Sequence, residues 1–146
     1  MLSRRILQPG VGGVLSRRQF GAISALFLCA CRGSANPTDP PWGKQACANC
    51  RMLVSDPRFA AQALSPVGER VYFDDIGCLV SYLADKPGVK KSWVRDANGT
   101  WLEAASARYR GGATTPMDFG ISVDAGGPLD FGAVKALVAA KTRGAS

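Results

Sequence analysis

The tightest constraint on this chain is the hexapeptide Cys47-Ala48-Asn49-Cys50-Arg51-Met52, which sets two thiols and a thioether close together. For these sulfurs to face one centre, the backbone must run extended or turn. Cys50 and Met52 are two apart; an extended segment aims both the same way, whereas a helix splays them by about 200°. Cys47 closes onto the same centre only through a turn. Soft sulfur ligands favour Cu(I) over hard cations, while close thiols also bind zinc or pair as a disulfide.

The chain has no histidine. That excludes Ser-His-Asp and Cys-His catalysis and any all-imidazole metal site. No Gly-x-Gly-x-x-Gly or phosphate-loop pattern supports nucleotide binding. The adjacent Asp74 and Asp75, with Glu69 and Glu103 elsewhere, make no glycosidase pair. With no complete nucleophile–base or acid–base set, the chain reads as a non-enzyme.

The first 30 residues read as a signal peptide. Arg4, Arg5, Arg17 and Arg18 make a basic start without acids, and residues 21–28 form an apolar run. That run falls well short of the roughly 18 residues a spanning helix needs. Ser16-Arg17-Arg18-Gln19-Phe20 resembles the twin-arginine export signal, and Leu28-Cys29-Ala30-Cys31 resembles a bacterial lipoprotein box with Cys31 as the lipidated residue. An ordinary secretory leader with both cysteines inside it is the alternative. The expected organisation is a leader over 1–30, a lipid-anchored Gly/Pro tether over 31–46, a domain over 47–141 and a frayed tail over 142–146. The expected address is the cell envelope, facing the periplasm and anchored to the outer membrane.

The 18 basic and 11 acidic residues give a formal charge of +7. Setting aside the four leader arginines leaves 14 basic residues against 11 acids, or about +3. No basic cluster with interleaved aromatics remains, so nucleic acid is not an expected partner. If lipid takes Cys31, Cys47, Cys50 and Cys78 remain. An odd thiol in an oxidising compartment must stay unpaired, bind metal or be buried.

Local patterns predict an α+β domain. Residues 59–64 and 70–73 form a hairpin around Ser65-Pro66-Val67-Gly68. Asp74 or Asp75 caps a helix whose Ile76, Leu79, Val80 and Leu83 share one face, ended by Pro87-Gly88. Residues 91–95 and 100–103 are strands about the Asn98-Gly99 turn. Residues 104–109 form a short helix or turn, 114–120 a loop, and 121–123 a strand. A final helix starts at Asp130 and turns Phe131, Val134, Leu137 and Val138 inward. Strands followed by a helix occur twice, so two similar halves are compatible with the pattern.

Met117, in a Gly/Pro-flanked loop, is the candidate further ligand beside Cys50, Met52 and Cys47; core filling is the plain alternative. Cys78 reads as a buried thiol more than as a ligand. Asp74 and Asp75 serve either as helix caps or as charge partners close to the site. Two other readings of the cysteine pair stay open. One is thiol–disulfide exchange through Cys47 and Cys50, although the pair lacks the strand–helix setting of thioredoxin-like sites. The other is a structural lipoprotein with a Cys47–Cys50 disulfide.

The ordered set Cys47-x-x-Cys50-x-Met52, Phe59-Ala60-Ala61-Gln62, Tyr72-Phe73-Asp74-Asp75-Ile76-Gly77-Cys78-Leu79, Trp101-Leu102-Glu103-Ala104, Thr115-Pro116-Met117 and Gly126-Gly127 resembles the NosL family. These lipoproteins accompany maturation of the copper centres of nitrous oxide reductase. The resemblance covers residues 47–138 and implies a compact fold of strand-strand-helix-strand units. It also implies a membrane-anchored Cu(I) chaperone that delivers to a periplasmic cuproenzyme or its assembly machinery. It points to Cys50, Met52 and Met117 as ligands; a homodimer stays open. The chain departs from the family pattern at Arg51, where glycine is usual, and at Asp118-Phe119, where glycine and often histidine follow the methionine.

Overall fold

The alanine-rich run that follows Pro57 is a strand in the computed structural model, which describes residues 36–145. Alanine prefers helix, but β1 (Ala61–Leu64) is paired along both edges, and that pairing overrides a weak propensity. It lies between β2 (Arg70–Phe73) and β3 (Lys91–Arg95), and β4 (Trp101–Glu103) completes a sheet of order β2-β1-β3-β4. Every pair is antiparallel. Thus β2 and β3 run parallel to each other with β1 between them, and α1 (Ile76–Asp85) makes the crossover. Strands of both predicted halves share this one sheet.

In-register partners show what each face carries. Ala61, Phe73, Val94 and Leu102 fall on one face, and Phe73 meets Tyr82 of α1 at 5.1 Å between ring centroids. This is the helix-covered face. The opposite face carries Gln62, Tyr72 and Trp93. Residues 36–46, read from sequence as part of the tether, lie against it. The buried Gln62 amide imitates a strand partner for Thr38, accepting from its N–H and donating to its carbonyl, both at 3.1 Å. Trp101 Nε1 donates to Asp39 at 2.8 Å, and the Arg95 guanidinium lies over Trp42 and Trp101. The aromatic and polar groups of this face are held under a strap.

Residues 104–106 are a turn, and the chain continues into a strand absent from the sequence reading, β5 (Tyr109–Gly111). It pairs with β6 (Ile121–Val123) as a separate two-stranded sheet. Tyr109 is fully buried and donates its hydroxyl to the Ala104 carbonyl at 2.6 Å. Gly127 lets the chain pass this ribbon: a Cβ there would sit 2.1 Å from the Tyr109 carbonyl oxygen. The last element, α2 (Phe131–Gly144), is capped by Asp130, whose carboxylate accepts from Ala133 N–H at 2.8 Å. It runs through residues read as the start of the tail. Phe131, Val134 and Val138 are buried, but Leu137 is 48% exposed, at the edge of the stripe instead of inside it. Among the described residues no helix is long and apolar enough to cross a membrane. The expectations for residues 1–30, including Arg17 and Arg18, and for Cys31 lie outside the described residues.

Candidate metal centre

The motif occupies the tip of a hairpin that precedes β1. Val54 N–H donates to Gln45 O at 2.8 Å, Gly43 N–H to Val54 O at 2.9 Å, and Cys47 N–H to Met52 O at 2.7 Å, with Ala46 bridged to Leu53. The four residues between Cys47 and Met52 reverse the chain. Arg51 N–H donates back to Cys47 O at 3.1 Å, and Arg51 takes a left-handed φ of 69°. That conformation replaces the simple alternation expected between Cys50 and Met52. The hairpin is fastened to the end of β2 by Ala48 N–H on Tyr72 O at 2.8 Å and Ser55 N–H on Asp74 Oδ1 at 3.0 Å.

Helix α1 starts at the same place. Asp75 is its N-cap, in extended conformation, with Oδ1 accepting from Gly77 N–H at 2.8 Å. Cys78 therefore lies in the first turn, where the positive end of the helix favours negative charge. The Sγ atoms of Cys47, Cys50 and Cys78 all lie within 4.8 Å of one another, and all three thiols are free. Cys78, read from sequence chiefly as a buried thiol, is both buried and the third member of the cluster.

The surroundings favour one thiolate. The Cys78 thiol donates to Cys47 sulfur, and the amide N–H groups of Cys50, Asp74 and Asn49 point at it as well. Together they outweigh burial and lower the Cys47 thiol to about 5. Burial raises Cys50, and the Cys47 charge adds to that rise against the Met52 N–H. Cys78 is raised too, first because it is the donor to Cys47 and then by burial. Three sulfurs this close cannot all be anionic without a cation among them. Cys47 is the sulfur its surroundings most favour as a thiolate, and an entering cation would favour the others as well.

The remaining predicted residues attach to the segments that carry the cluster. Met52 is 59% exposed at the hairpin tip, and its amide donates to Cys50 sulfur. Met117 is half-buried against the core, and its N–H donates to Asp75 Oδ2 at 3.1 Å. Asp75 thus joins the start of α1 to the Met117 loop. Asp74 joins β2 to the exit of the hairpin and sends its own N–H to Cys47. Burial raises the Asp74 carboxyl, the Ser55 N–H draws it back, and the Cys47 charge adds to the rise. Neither acid belongs to the sulfur cluster; both fix the segments that carry it. Sequence reasoning gave no place to the Asn49 side chain, which hydrogen-bonds Cys78.

Fold and site together define an α+β domain with a three-cysteine cluster, buried but for Cys50, that is compatible with metal binding. No family model, curated protein or solved structure matches the chain.

Proposed function

We propose that this protein is a copper carrier of the bacterial cell envelope. It takes one Cu(I) on Cys47, Cys50 and Cys78 and passes it to a cuproenzyme or to the machinery that assembles one. The observation that supports this is the convergence of three sulfurs within 4.8 Å in a chain without histidine. A three-sulfur set suits a soft monovalent ion; structural zinc takes four ligands, and hard divalent ions take oxygen.

The burial gradient suits a carrier. Cys47 and Cys78 are 0% exposed, whereas Cys50 is partly open. An incoming ligand from the recipient meets Cys50 first, while the other two sulfurs retain the ion. Loading releases the thiol protons of Cys50 and Cys78, and unloading takes them back. The sequence signals and the resemblance to the NosL family are what support an envelope location, a lipid on Cys31 and nitrous oxide reductase as recipient.

Thiol–disulfide exchange has the acidity of Cys47 in its favour. Against it, the same thiol is fully buried and sits in a hairpin instead of at a helix N-terminus. Titrating the reduced protein anaerobically with Cu(I) against a competing chelator separates the two. Carrier function requires one tightly held Cu(I) per chain, lost on Cys50→Ser and on Cys78→Ser. No stoichiometric binding, with rapid disulfide exchange instead, would reverse the assignment.

A further inference from the structure

The hairpin tip carries an exposed cation beside the one open thiol of the cluster. Arg51 and Asp118 are the two non-glycine residues with positive φ among the described residues. The left-handed conformation costs an L side chain roughly 1–2 kcal/mol, and glycine adopts it freely. Arg51 is exposed and follows Cys50, so its cation opposes the entry of a metal cation. The turn closed by Arg51 N–H on Cys47 O accounts for the backbone, but among the described residues no acid pairs with the charge. The ion pairs of the described residues engage Arg58, Arg95, Arg110 and Lys141, and none engages Arg51.

Next to it, Met52 is 59% and Leu53 50% exposed, the one adjacent pair among the large apolar side chains exposed in the described residues. Cys50 is also the one thiol of the cluster with open surface. Anything that exchanges metal with the cluster must therefore approach over this tip. A cation followed by two exposed apolar side chains, one on either side of the hairpin arm next to the open thiol, is complementary to a surface with carboxylates around an apolar contact.

We propose that Arg51, Met52 and Leu53 form the docking surface for a metal-exchanging protein whose own site is rimmed by carboxylates, with Arg51 as the residue that reads them. This rests on the copper reading above. Charge at an interface rim acts mainly on the rate of encounter and on its salt dependence, so that is where the effect belongs.

The test uses two synthetic peptides that share one Cu(I)-binding Cys site and differ only in flanking Asp or flanking Lys residues. Each is loaded with Cu(I) and mixed anaerobically with the reduced full chain, and transfer is followed by stopped flow. Both peptides should load the protein to one copper at equilibrium. The Asp-flanked peptide should do so about tenfold faster at low salt, the difference closing at high salt. Arg51→Gly, which the backbone accepts and which keeps the N–H, should erase the preference and leave the endpoint unchanged. Arg51→Glu should invert it, and Leu53→Asn should slow both peptides. Full loading at equal rates, or a preference that survives Arg51→Gly, overturns the docking surface alone. A protein that carries no copper at equilibrium with either peptide overturns the copper reading and this inference with it.

Discussion

The amide of Met117 donates to a carboxylate oxygen of Asp75 at 3.1 Å, across 42 positions of sequence. The other oxygen of that buried carboxylate caps helix α1 through Gly77. One side chain thus fixes the turn carrying Cys78 and the loop carrying Met117. Asp75→Ala removes an N-cap and strands a partly buried N–H, and should destabilise the fold by about 2–4 kcal/mol. Asp75→Asn, which keeps the cap but presents an amide in place of one oxygen, should fall roughly midway. Urea unfolding of the metal-free protein measures both. Equal stability of Asp75→Ala and the parent chain would remove the keystone role.

The Phe119 ring covers Gly77 so closely that a Cβ at that position would lie 2.0 Å from it. Gly77→Ala must push the ring and its loop away, at a cost of about 1–3 kcal/mol. The same substitution in a Phe119→Ala background should cost much less, because the obstruction is gone. A double-mutant cycle reads the coupling directly. Additive effects would mean that the ring does not rest on the helix.

The legible part of the fold was the part governed by local chemistry. Asp75 and Asp130 announce helices because a carboxylate before an apolar stripe satisfies orphan N–H groups. Asn98-Gly99 announces the β3–β4 hairpin because that turn needs positive φ, which Gly99 adopts at 89°. Less legible was whatever depends on partners distant in sequence. Strand β5 is three residues long with two of them exposed, and its pairing with β6, together with the bridge from Tyr109 to Leu129, defines it. The strap over residues 36–46 looks like a linker by composition; Gln62, buried beneath it, is the residue whose polarity marks something covering the sheet. In the site, Cys47 and Cys50 came together as their spacing suggested. Cys78 joined them through the docking of the hairpin on β2, which spacing does not encode.

Acidity of the cluster gives a pH signature in the metal-free, reduced protein. Cys47 is lowered from an ordinary thiol value of 9.0 to about 5, chiefly by the Cys78 thiol. Thiolate absorbance should therefore show a one-sulfur step near pH 5 that disappears in Cys47→Ser and moves toward ordinary thiol values in Cys78→Ser. A depressed acid adds stability that is fully present above its unfolded value and lost as pH falls through the folded one. The Cys47 contribution accordingly declines from about pH 9 and is gone below about pH 5. Cys50 and Cys78 are shifted the opposite way, so their contribution is present below pH 9.0 and is lost as pH rises through their folded values. Stability should climb between about pH 5 and 9 and turn over above that. A flat profile would contradict the thiolate assignment.

Removing one sulfur should hurt metal binding more than removing a group that merely supports a ligand, an effect usually of about 10–100-fold. Cys78→Ser should therefore weaken Cu(I) binding by at least about a hundredfold. Asn49→Ala, which deletes a hydrogen bond to Cys78, should weaken it by about tenfold or less. Competition titrations with a chromogenic chelator resolve both. A Cys78→Ser protein with parental affinity would return Cys78 to the role of a core thiol.

X-ray absorption at the copper edge, on the reduced protein loaded anaerobically with one Cu(I), tests the central claim most directly. The parent chain should show a shell of three sulfurs and Cys78→Ser a shell of two, with no nitrogen shell in either. A sulfur count that Cys78→Ser leaves unchanged, or copper held mainly by oxygen or nitrogen, would contradict it.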